Sequence, residues 1–466
     1  MENMPDFKEV EQLLTSQNCS EETISQFGEL YQHYFAHQKD LPEWEEITSP
    51  SIENIIEYDT LEPVDTDQGK RLLSKLAVCR LNGGLGTSMG CVGPKSAIEV
   101  RNEQSFLDLI VTQIRSINAK YSANVPLLLM NSFNSDQDTK KIIRKYSGKL
   151  AIHTFIQSEF PRLRRDSFMP LSSEKYGEKA SYPPGHGDFY MALDRSGLLD
   201  QLIDQGKEYM FIANADNLGG AIDLSILKLM VDNKAPFIME VTDKTRADVK
   251  GGTLVKTNQN ELRLLEIAQV PQDRLEEFKS VKKFKIFNTN NVWINLIELR
   301  KKLRSNTLKL DVMINHKYID HLPVVQLETA IGGGINSFEG SLAVKVPRSR
   351  FLPVKKTDDL LLVQSNLFIL KDGVLVRNPE RQFDGLPLIR LGESFQTVEA
   401  YNERFKTIPD ILELDILTVV GDVYFGKDIR LCGNVILVCE RDELHLPDRS
   451  NLENRVLTGS IRMGML

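Results

Sequence analysis

Between about residues 71 and 355, short apolar runs alternate with stretches in which apolar residues recur at helical spacing. The apolar runs predict strands and have the following sequences: LAVCRL (76–81), VPLLLM (125–130), LAIHTFI (150–156), YMFIANAD (209–216) and FIMEVTD (237–243). Helices are predicted between them, as in QSFLDLIVTQIRSI (104–117) and IDLSILKLMVDN (222–233). Near-continuous apolar strands separated by helices are typical of a mostly parallel, doubly wound α/β sheet. Because such sheets bind ligands at the carboxyl ends of their strands, we expect the chemistry in the loops there.

The residues before this section predict helices and then an extended arm. Ser20 is a candidate helix N-cap, and Ile24, Phe27 and Tyr31 follow it at helical spacing. From about residue 40 to 70 the chain is acidic and irregular, and prolines interrupt it. We predict that this arm lies over the next domain.

The last part of the chain has a different period. Val423, Ile429 and Val435 recur every six residues, with glycines between them, and Leu446 and Leu452 keep the same interval. A six-residue period in β-prone sequence favours the coils of a β-helix, and a few short antiparallel strands are the alternative. The chain of 466 residues is therefore predicted to form a helical region and arm (1–70), a catalytic domain (71–380) and a β-helix domain (381–466).

Composition narrows the class of protein. Hydrophobic residues make up 41% and charged residues 26% of the chain, as in ordinary globular proteins. No apolar run is long enough to span a membrane, and the acidic start differs from a signal peptide, so we expect a cytoplasmic protein without a membrane partner. The five cysteines and seven histidines are scattered and suggest neither a zinc site nor a disulfide framework. The net charge of −8 argues against a nucleic-acid partner and requires any anion site to be built from local groups.

The strongest chemical signal is LNGGLGTSMGCVGPKS, residues 81–96, directly after the first predicted strand. Its glycines allow sharp turns and close approach to a ligand, successive N–H groups suit phosphate oxygens, and Lys95 adds a positive charge. The spacing excludes a Walker A loop, because Pro94 separates Gly93 from that lysine. A dinucleotide fingerprint is broken by Met89, which disfavours a flavin or nicotinamide dehydrogenase.

Three further motifs carry polar side chains. YPPGHGDFY (182–190) places a histidine between two glycines, and FIANADN (211–217) ends an apolar strand with a carboxylate that suits Mg²⁺. Asn217 of the second motif is a candidate cap of the following helix. FNTNNVWI (287–294) gathers amides at what we interpret as the end of a strand, an arrangement that suits sugar hydroxyls or a simple turn.

Taken together, these motifs resemble those of the eukaryotic-type UDP-glucose pyrophosphorylases, and the resemblance runs from about residue 70 to the end. It implies a Rossmann-like nucleotidyltransferase domain with a mixed, mostly parallel sheet, followed by a left-handed β-helix. It implies UTP, glucose 1-phosphate, UDP-glucose and pyrophosphate as ligands, Mg²⁺ as cofactor, and possible self-association through the carboxyl-terminal domain.

The resemblance also assigns site residues. Lys95 and Lys355 are the implied catalytic residues, and Asp216 is the implied metal ligand. The implied nucleotide-binding residues are Leu81, Asn82, Gly83, Gly84, Gln157 and Gly185. The implied sugar-phosphate-binding residues are His186, Asn214, Ala215, Asp216, Asn288 and Asn290. Lys356, next to the second lysine, is left outside the site.

The implied reaction is direct in-line attack of the sugar phosphate on the α-phosphorus of UTP. Such transfers depend on positioning and fixed positive charge rather than on a covalent enzyme intermediate. Two alternatives stay open: a pyrophosphorylase that accepts several sugar 1-phosphates, and a catalytically silent relative that serves as a scaffold. The second would predict loss of Lys95, Asp216 or Lys355, and all three are present.

Overall fold

The computed structural model describes residues 6–37, 44–50, 55–245, 248, 251–257, 261–383, 385–440 and 443–459. Its helices are α1 (Phe7–Ser16), α2 (Glu21–His37), α3 (Thr66–Ser74), α4 (Phe106–Tyr121), α5 (Asp136–Ile143), α6 (Ser173–Tyr176), α7 (Phe189–Arg195), α8 (Leu198–Asp204), α9 (Leu224–Asp232), α10 (Leu275–Lys279), α11 (Leu296–Arg304), α12 (Thr357–Gln364) and α13 (Val398–Arg404). Within the described ranges, none of these helices has the length and apolar content needed to cross a bilayer.

The strands of the amino-terminal half are β1 (Ile55–Glu57), β2 (Leu76–Leu81), β3 (Glu99–Arg101), β4 (Gln104–Ser105), β5 (Leu127–Asn131), β6 (Ile152–Ile156), β7 (Phe160–Pro161), β8 (Leu163–Arg164), β9 (Ser181–Tyr182), β10 (Tyr209–Asn214) and β11 (Phe237–Asp243). The later strands are β12 (Thr253–Lys256), β13 (Leu262–Leu265), β14 (Ile286–Asn295), β15 (Val312–Ile319), β16 (Leu322–Thr329), β17 (Leu342–Lys345), β18 (Phe368–Lys371), β19 (Val374–Arg377), β20 (Leu388–Arg390), β21 (Leu414–Val420), β22 (Val423–Phe425), β23 (Arg430–Val438), β24 (Leu444–Leu446) and β25 (Asn451–Thr458).

A mixed sheet with the strand order β1-β17-β11-β14-β10-β2-β5-β6 forms the centre of the molecule. Its neighbouring strands are parallel except at β14, which runs antiparallel to both β10 and β11. Apolar residues of α3, α4 and α9 pack on one face, and those of α7, α8 and α11 pack on the other. The mostly parallel sheet expected from the apolar runs is confirmed, and so is the mixed sheet that the family resemblance implies.

Local side-chain chemistry sets the ends of these elements. Helix α4 begins after Ser105, because the Ser105 and Asp108 side chains each accept a hydrogen bond from the other residue's backbone N–H. Strand β5 begins two residues later than the apolar run predicts. The backbone N–H and C=O of Val125 are taken by the Asn118 side chain, and Pro126 has no N–H to donate.

The amino-terminal helices pack against the outer strands rather than against the central sheet. Phe27 and Tyr31 of α2 share a buried cluster with Tyr182 of β9 and with Val325 and Leu327 of β16. As predicted, Ser20 caps α2, since its hydroxyl accepts a hydrogen bond from the Thr23 N–H at 3.1 Å.

The arm then crosses to the central sheet. Trp44 packs into a cluster with Phe278 and Phe284, and β1 adds a parallel strand beside β17. Residues 38–43 and 51–54 of the predicted arm, like residues 1–5, lie outside the described residues.

The carboxyl-terminal region, from residue 381 onward, consists of strands that pair in parallel. Sheet β20-β21-β23-β25 and the pair β22-β24 have only parallel neighbours within the described ranges, so the alternative of short antiparallel strands is wrong for them. The residues of the six-residue period, Val423, Ile429, Val435, Leu446 and Leu452, are all buried.

One hydrophobic cluster spans the predicted boundary at residue 380. It joins Leu417 and Val435 of the carboxyl-terminal region to Leu360 of α12 and to Met89 and Ile98 beside the glycine-rich loop. The carboxyl-terminal region therefore shares its core with the segments that flank the predicted site.

Candidate active site

A cavity of about 350 Å³ opens at the carboxyl edge of the central sheet, where β2, β5 and β10 end. It is lined by Leu81, Asn82, Gly83, Gly84, Lys95, Ser96, Met130, Gln157, Pro183, Gly185, His186, Asn214, Ala215, Asp216, Asn290 and Lys355. Every predicted site residue except Asn288 lines this cavity. A larger cavity of about 1050 Å³ lies elsewhere, between α2, β13 and β15, and contains none of the predicted site residues.

The glycine-rich loop is braced from both sides. The Lys95 N–H donates to the Gly84 carbonyl at 3.0 Å, and the Gly83 carbonyl accepts from the Ser132 hydroxyl at 2.8 Å. The N–H groups of Gly83 and Gly84 donate to no acceptor among the described residues. A Cβ at Gly84 would meet no protein atom within 4 Å, so the backbone there is open to a ligand. The loop thus presents free amide donors beside a lysine.

Asp216 receives both predicted catalytic lysines. Its Oδ2 accepts from Lys95 Nζ at 2.9 Å and from Lys355 Nζ at 2.8 Å. Burial opposes ionisation, but the charges of Lys355 and Lys95 outweigh it and hold the pKa of the Asp216 carboxyl below its usual value. Its other oxygen, Oδ1, is buried and has no hydrogen-bond partner among the described residues.

A short backbone pairing brings Lys355 to this carboxylate. The Leu352 N–H donates to Asn217 Oδ1 at 2.8 Å, and the Val354 N–H donates to the Asp216 carbonyl at 3.0 Å. Asn217 therefore anchors the segment that carries Lys355. It also forms an Asx turn, since its Oδ1 accepts from the Gly219 N–H at 3.2 Å, but the prediction that it caps the next helix is wrong. Asp223 caps α9 instead.

His186 lies on a tight loop against β16. Gly185, at φ +82°, leaves no room for a Cβ, which would come within 2.6 Å of the Thr329 carbonyl oxygen. His186 Nδ1 accepts from the Ile331 N–H at 2.9 Å. Burial, and then the charge of Lys355, lower the pKa of this imidazole to about 4. The ring is therefore neutral at pH 7 and carries its proton on Nε2.

Gln157 joins this loop to the glycine-rich loop. Its side-chain amide donates to the Gly185 carbonyl at 2.9 Å, and a Cβ at Gly83 would collide with its carbonyl oxygen. The carboxamide thus lies between two stretches of exposed backbone.

The predicted sugar-side amides occupy two neighbouring strands. Asn214 is the last residue of β10, and the Ala215 N–H donates to the Leu81 carbonyl at 3.1 Å. Asn288 and Asn290 lie in the first half of β14, and the expectation that they end a strand is wrong. Because β14 is antiparallel, its beginning lies at the edge where its neighbours end.

Asn290 has an unusual backbone. It has φ +58° and lies inside a β-bulge, because residues 289–291 of β14 lie between the partners of Met239 and Val241. Its side chain lines the cavity. Asn288 is buried beside the cavity and donates its amide to Asn290 Oδ1 at 2.8 Å. Asn288 thus supports a cavity residue without lining the cavity itself.

Sequence reasoning missed two groups of residues. Ser96, Met130 and Pro183 also line the cavity, and the buried Ser96 hydroxyl has no hydrogen-bond partner among the described residues. A buried ion pair lies nearby, in which Arg350 donates to both oxygens of Glu240 at 2.6 and 2.8 Å. The signal for this pair was a glutamate inside the otherwise apolar run of β11.

These groups together form a preorganised anion site. Backbone amides, two ammonium groups and a neutral imidazole face one cavity, and among the described residues the one carboxylate that lines it is held by both lysines. Such an arrangement suits a polyphosphate with a flat base between the two loops. The fold and the site define a nucleotidyltransferase.

Comparison with known proteins specifies the family. The family model for UTP–glucose-1-phosphate uridylyltransferase matches residues 24–432, and the chain belongs to this family. UTP–glucose-1-phosphate uridylyltransferase 2 of Dictyostelium discoideum is 50% identical over 447 residues, which cover 95% of this chain and 89% of the relative. The corresponding enzyme of Musa acuminata is 51% identical over 445 residues, 94% of this chain and 95% of the relative.

Solved structures show the same fold. The crystal structure of UDP-glucose phosphorylase from Trypanosoma brucei superposes with a TM-score of 0.84 at 34% identity and covers 97% of this chain and 99% of that one. A mutant UDP-glucose pyrophosphorylase from Leishmania major, in complex with UDP-glucose, gives 0.86 at 29% identity over 97% of this chain and 99% of that one.

Proposed function

We propose that this protein transfers the uridylyl group of UTP to glucose 1-phosphate, giving UDP-glucose and pyrophosphate, in a reversible reaction. The observation that carries the proposal is the pair of ammonium groups on one buried carboxylate oxygen beside free backbone amides. The names of relatives about half identical over nearly the whole chain support this reaction.

In this proposal the nucleotide lies between the two loops. Leu81 and Asn82 begin the glycine-rich loop, and Gly83 and Gly84 offer their backbone to the base. The Gln157 carboxamide matches the donor and acceptor edge of uracil, with Gly185 on its far side. His186 donates its Nε2 proton to an oxygen of the bound ligand, and Asn214, Ala215 and Asn290 face the sugar phosphate, with Asn288 behind them.

The transfer itself needs no enzyme nucleophile. A phosphate oxygen of glucose 1-phosphate attacks the α-phosphorus, a P–O bond to that oxygen forms, and the bond to the β-phosphate oxygen breaks with release of pyrophosphate. The attacking group is already an anion, so no general base is required. Lys95 and Lys355 stabilise the charge that builds on the phosphate chain.

The residues present fit a magnesium ion. Asp216 Oδ1 is a buried oxygen without a protein partner, and a carboxylate oxygen is the ligand that Mg²⁺ prefers. No cluster of three potential metal-ligating side chains occurs among the described residues, so a single protein ligand would leave the other positions to phosphate oxygens and water. When bound, Mg²⁺ would neutralise charge on the phosphates.

A pyrophosphate-release assay with UTP, Mg²⁺ and a panel of sugar 1-phosphates tests the proposal. We expect release with glucose 1-phosphate and little with galactose 1-phosphate. Equal rates with several sugars would favour the broader pyrophosphorylase. No release with any sugar, while UTP still binds, would favour the catalytically silent scaffold.

Several further features of this proposal concern the whole molecule. We propose that the parallel strands of residues 381–466 form a left-handed β-helix and that this domain mediates self-association. Partners in adjacent strands, such as Leu417 and Val435, lie about one coil apart in sequence, as stacked coils require. Sedimentation that gives only the monomer mass would refute self-association.

We also propose domain boundaries near residues 70 and 380, which limited proteolysis tests. A cytoplasmic location is proposed as well, and cell fractionation tests it.

A further inference from the structure

The carboxyl-terminal region touches both lysine-bearing segments of the active site. The first segment is the glycine-rich loop, and the second is residues 349–359, which we call the Lys355 segment. They come from distant parts of the sequence, and both lysines donate to Asp216 Oδ2. Because both segments contact the carboxyl-terminal region, these contacts affect the distance between the two lysines.

The Lys355 segment leads directly into α12, and α12 is tied to the carboxyl-terminal region at both ends. In its first turn Asp358 Oδ1 accepts from the Leu391 N–H at 2.8 Å. In its last turn Gln364 Oε1 accepts from the Tyr401 hydroxyl at 2.7 Å. Beyond it, the Asn366 amide donates to Asp410 at 2.6 Å. Helix α12 is thus fixed along its length.

The glycine-rich loop rests on the same region at its outer turn. Met89 is fully buried in the cluster that contains Phe395, and a Cβ at Gly90 would come within 2.6 Å of Thr397 Cγ2. Thr397 is itself fixed, because its hydroxyl caps α13 by accepting from the Ala400 N–H at 3.1 Å. The loop can therefore not shift toward the carboxyl-terminal region without displacing α13.

We propose that the carboxyl-terminal region holds Lys95 and Lys355 at their working separation, and that Asp358 and Thr397 are positioning residues for the reaction. This inference rests on the proposed function. Neither residue lines the cavity, so each acts through the segment that it holds. Loss of such a contact shifts a catalytic group without removing it, and a displacement of about 1 Å can lower a rate by ~10².

The test uses the full-length chain with Asp358→Ala, Asp358→Asn and a matched control, Asp422→Ala. Asp422 pairs with Arg404 at 2.8 Å inside the carboxyl-terminal region and touches neither segment. For Asp358→Ala we expect kcat to fall roughly tenfold, with KM for UTP within about twofold. Asp358→Asn keeps an oxygen that accepts from Leu391 and should retain kcat within about twofold. The control should lose thermal stability but keep kcat.

A second readout does not depend on turnover. We expect acetic anhydride to modify Lys355 in Asp358→Ala roughly threefold faster than in the wild type, because a loosened ion pair exposes its lysine. The exposed Lys70 of α3 is the internal reference. If Asp358→Ala folds poorly, Thr397→Ser removes the methyl group near Gly90, keeps the helix cap, and should lower kcat roughly fivefold. A kcat within about twofold of the wild type would overturn the role of Thr397.

The outcomes separate the two proposals. A wild-type chain that makes no UDP-glucose refutes the proposed function, and the acetylation ratio then still decides the positioning inference. With an active wild type, an unchanged kcat and an unchanged Lys355 acetylation rate in Asp358→Ala overturn the inference. It is equally overturned if Asp422→Ala loses kcat to the same extent.

Discussion

The two lysines that share Asp216 belong to unlike regions. The Lys95 side chain is 13% exposed and follows a loop closed by its own hydrogen bonds, whereas the Lys355 side chain is 59% exposed and stands on a segment that is bonded to Asp216 and Asn217. Lys95 is thus nearly enclosed beside its loop, whereas more than half of the Lys355 side chain is open to solvent. We infer that Lys95 forms part of the site before a ligand enters, whereas the position of Lys355 depends on the ligand.

Removal of the Lys355 side chain is the most direct test of this difference between the two lysines. We expect Lys355→Ala to lower kcat by ~10²–10³ while KM for UTP changes by less than about threefold, because the lysine acts on charge that develops during transfer. Steady-state kinetics measures both constants. The control is Lys356→Ala, on the same segment, which should stay within about twofold of the wild type. A large rise in KM with unchanged kcat would contradict the role given to Lys355.

The neutral imidazole of His186, near Lys355, leads to a prediction about how the free energy of unfolding depends on pH. The pKa of His186 is lowered to about 4, from an ordinary value of 6.5. As the pH falls between these values, the unfolded chain binds a proton that the folded chain does not, so stability is lost. From pH 7 to pH 5 the free energy of unfolding of the wild type should fall about 2 kcal/mol more than that of His186→Gln. Urea denaturation of both chains at the two pH values measures this, and parallel losses would show that the imidazole is protonated when folded.

The role of the glycine-rich loop can be tested at Gly84, where an added Cβ would have no protein neighbour. We expect Gly84→Ala to leave the melting temperature unchanged, because a Cβ there meets nothing within 4 Å. It should weaken UTP binding roughly tenfold, since the methyl group occupies the space of a ligand close to the backbone. Calorimetric titration with UTP measures the affinity. Gly385→Ala, also without neighbours, without a positive φ and outside the cavity lining, is the control for the added methyl group.

The smallest expected effect is the difference between the two lysines in how they change the pKa of His186. Lys355 lowers the pKa of this imidazole, and Lys95 is not among the causes of the shift. NMR titration should therefore place the His186 pKa higher in Lys355→Ala than in the wild type, with no comparable rise in Lys95→Ala. Equal shifts in both variants would mean that the two lysines do not differ in this way.

The pattern of apolar residues predicts much of the central sheet. LAVCRL forms β2 over the same residues, and FIMEVTD forms β11, because both strands are buried on two faces and leave nearly continuous apolar runs. The glycine-rich loop was also evident from residue types alone. The direction of β14 was not, since periodicity carries no information on whether a strand is parallel or antiparallel. Asn288 and Asn290 were therefore put at the wrong end of their strand.

The position of Lys355 depends on contacts that no local pattern encodes. Only the family resemblance selected it, and the structure explains it through Asn217, a residue more than a hundred positions away. The Glu240–Arg350 pair is similar, since its two charges lie in separate elements and become neighbours only when the sheet has formed. Long-range polar pairing is thus the part of this site that sequence reasoning could not supply.

The shared carboxylate oxygen has a consequence for selectivity. An incoming anion must take the lysines away from a competitor that is built into the chain and is already desolvated. A weakly charged anion that offers a single contact gains little from that exchange, whereas a triphosphate offers several contacts at once. In the proposed function, Asp216 therefore keeps the two lysines neutralised against small anions, and a polyvalent anion displaces it from them.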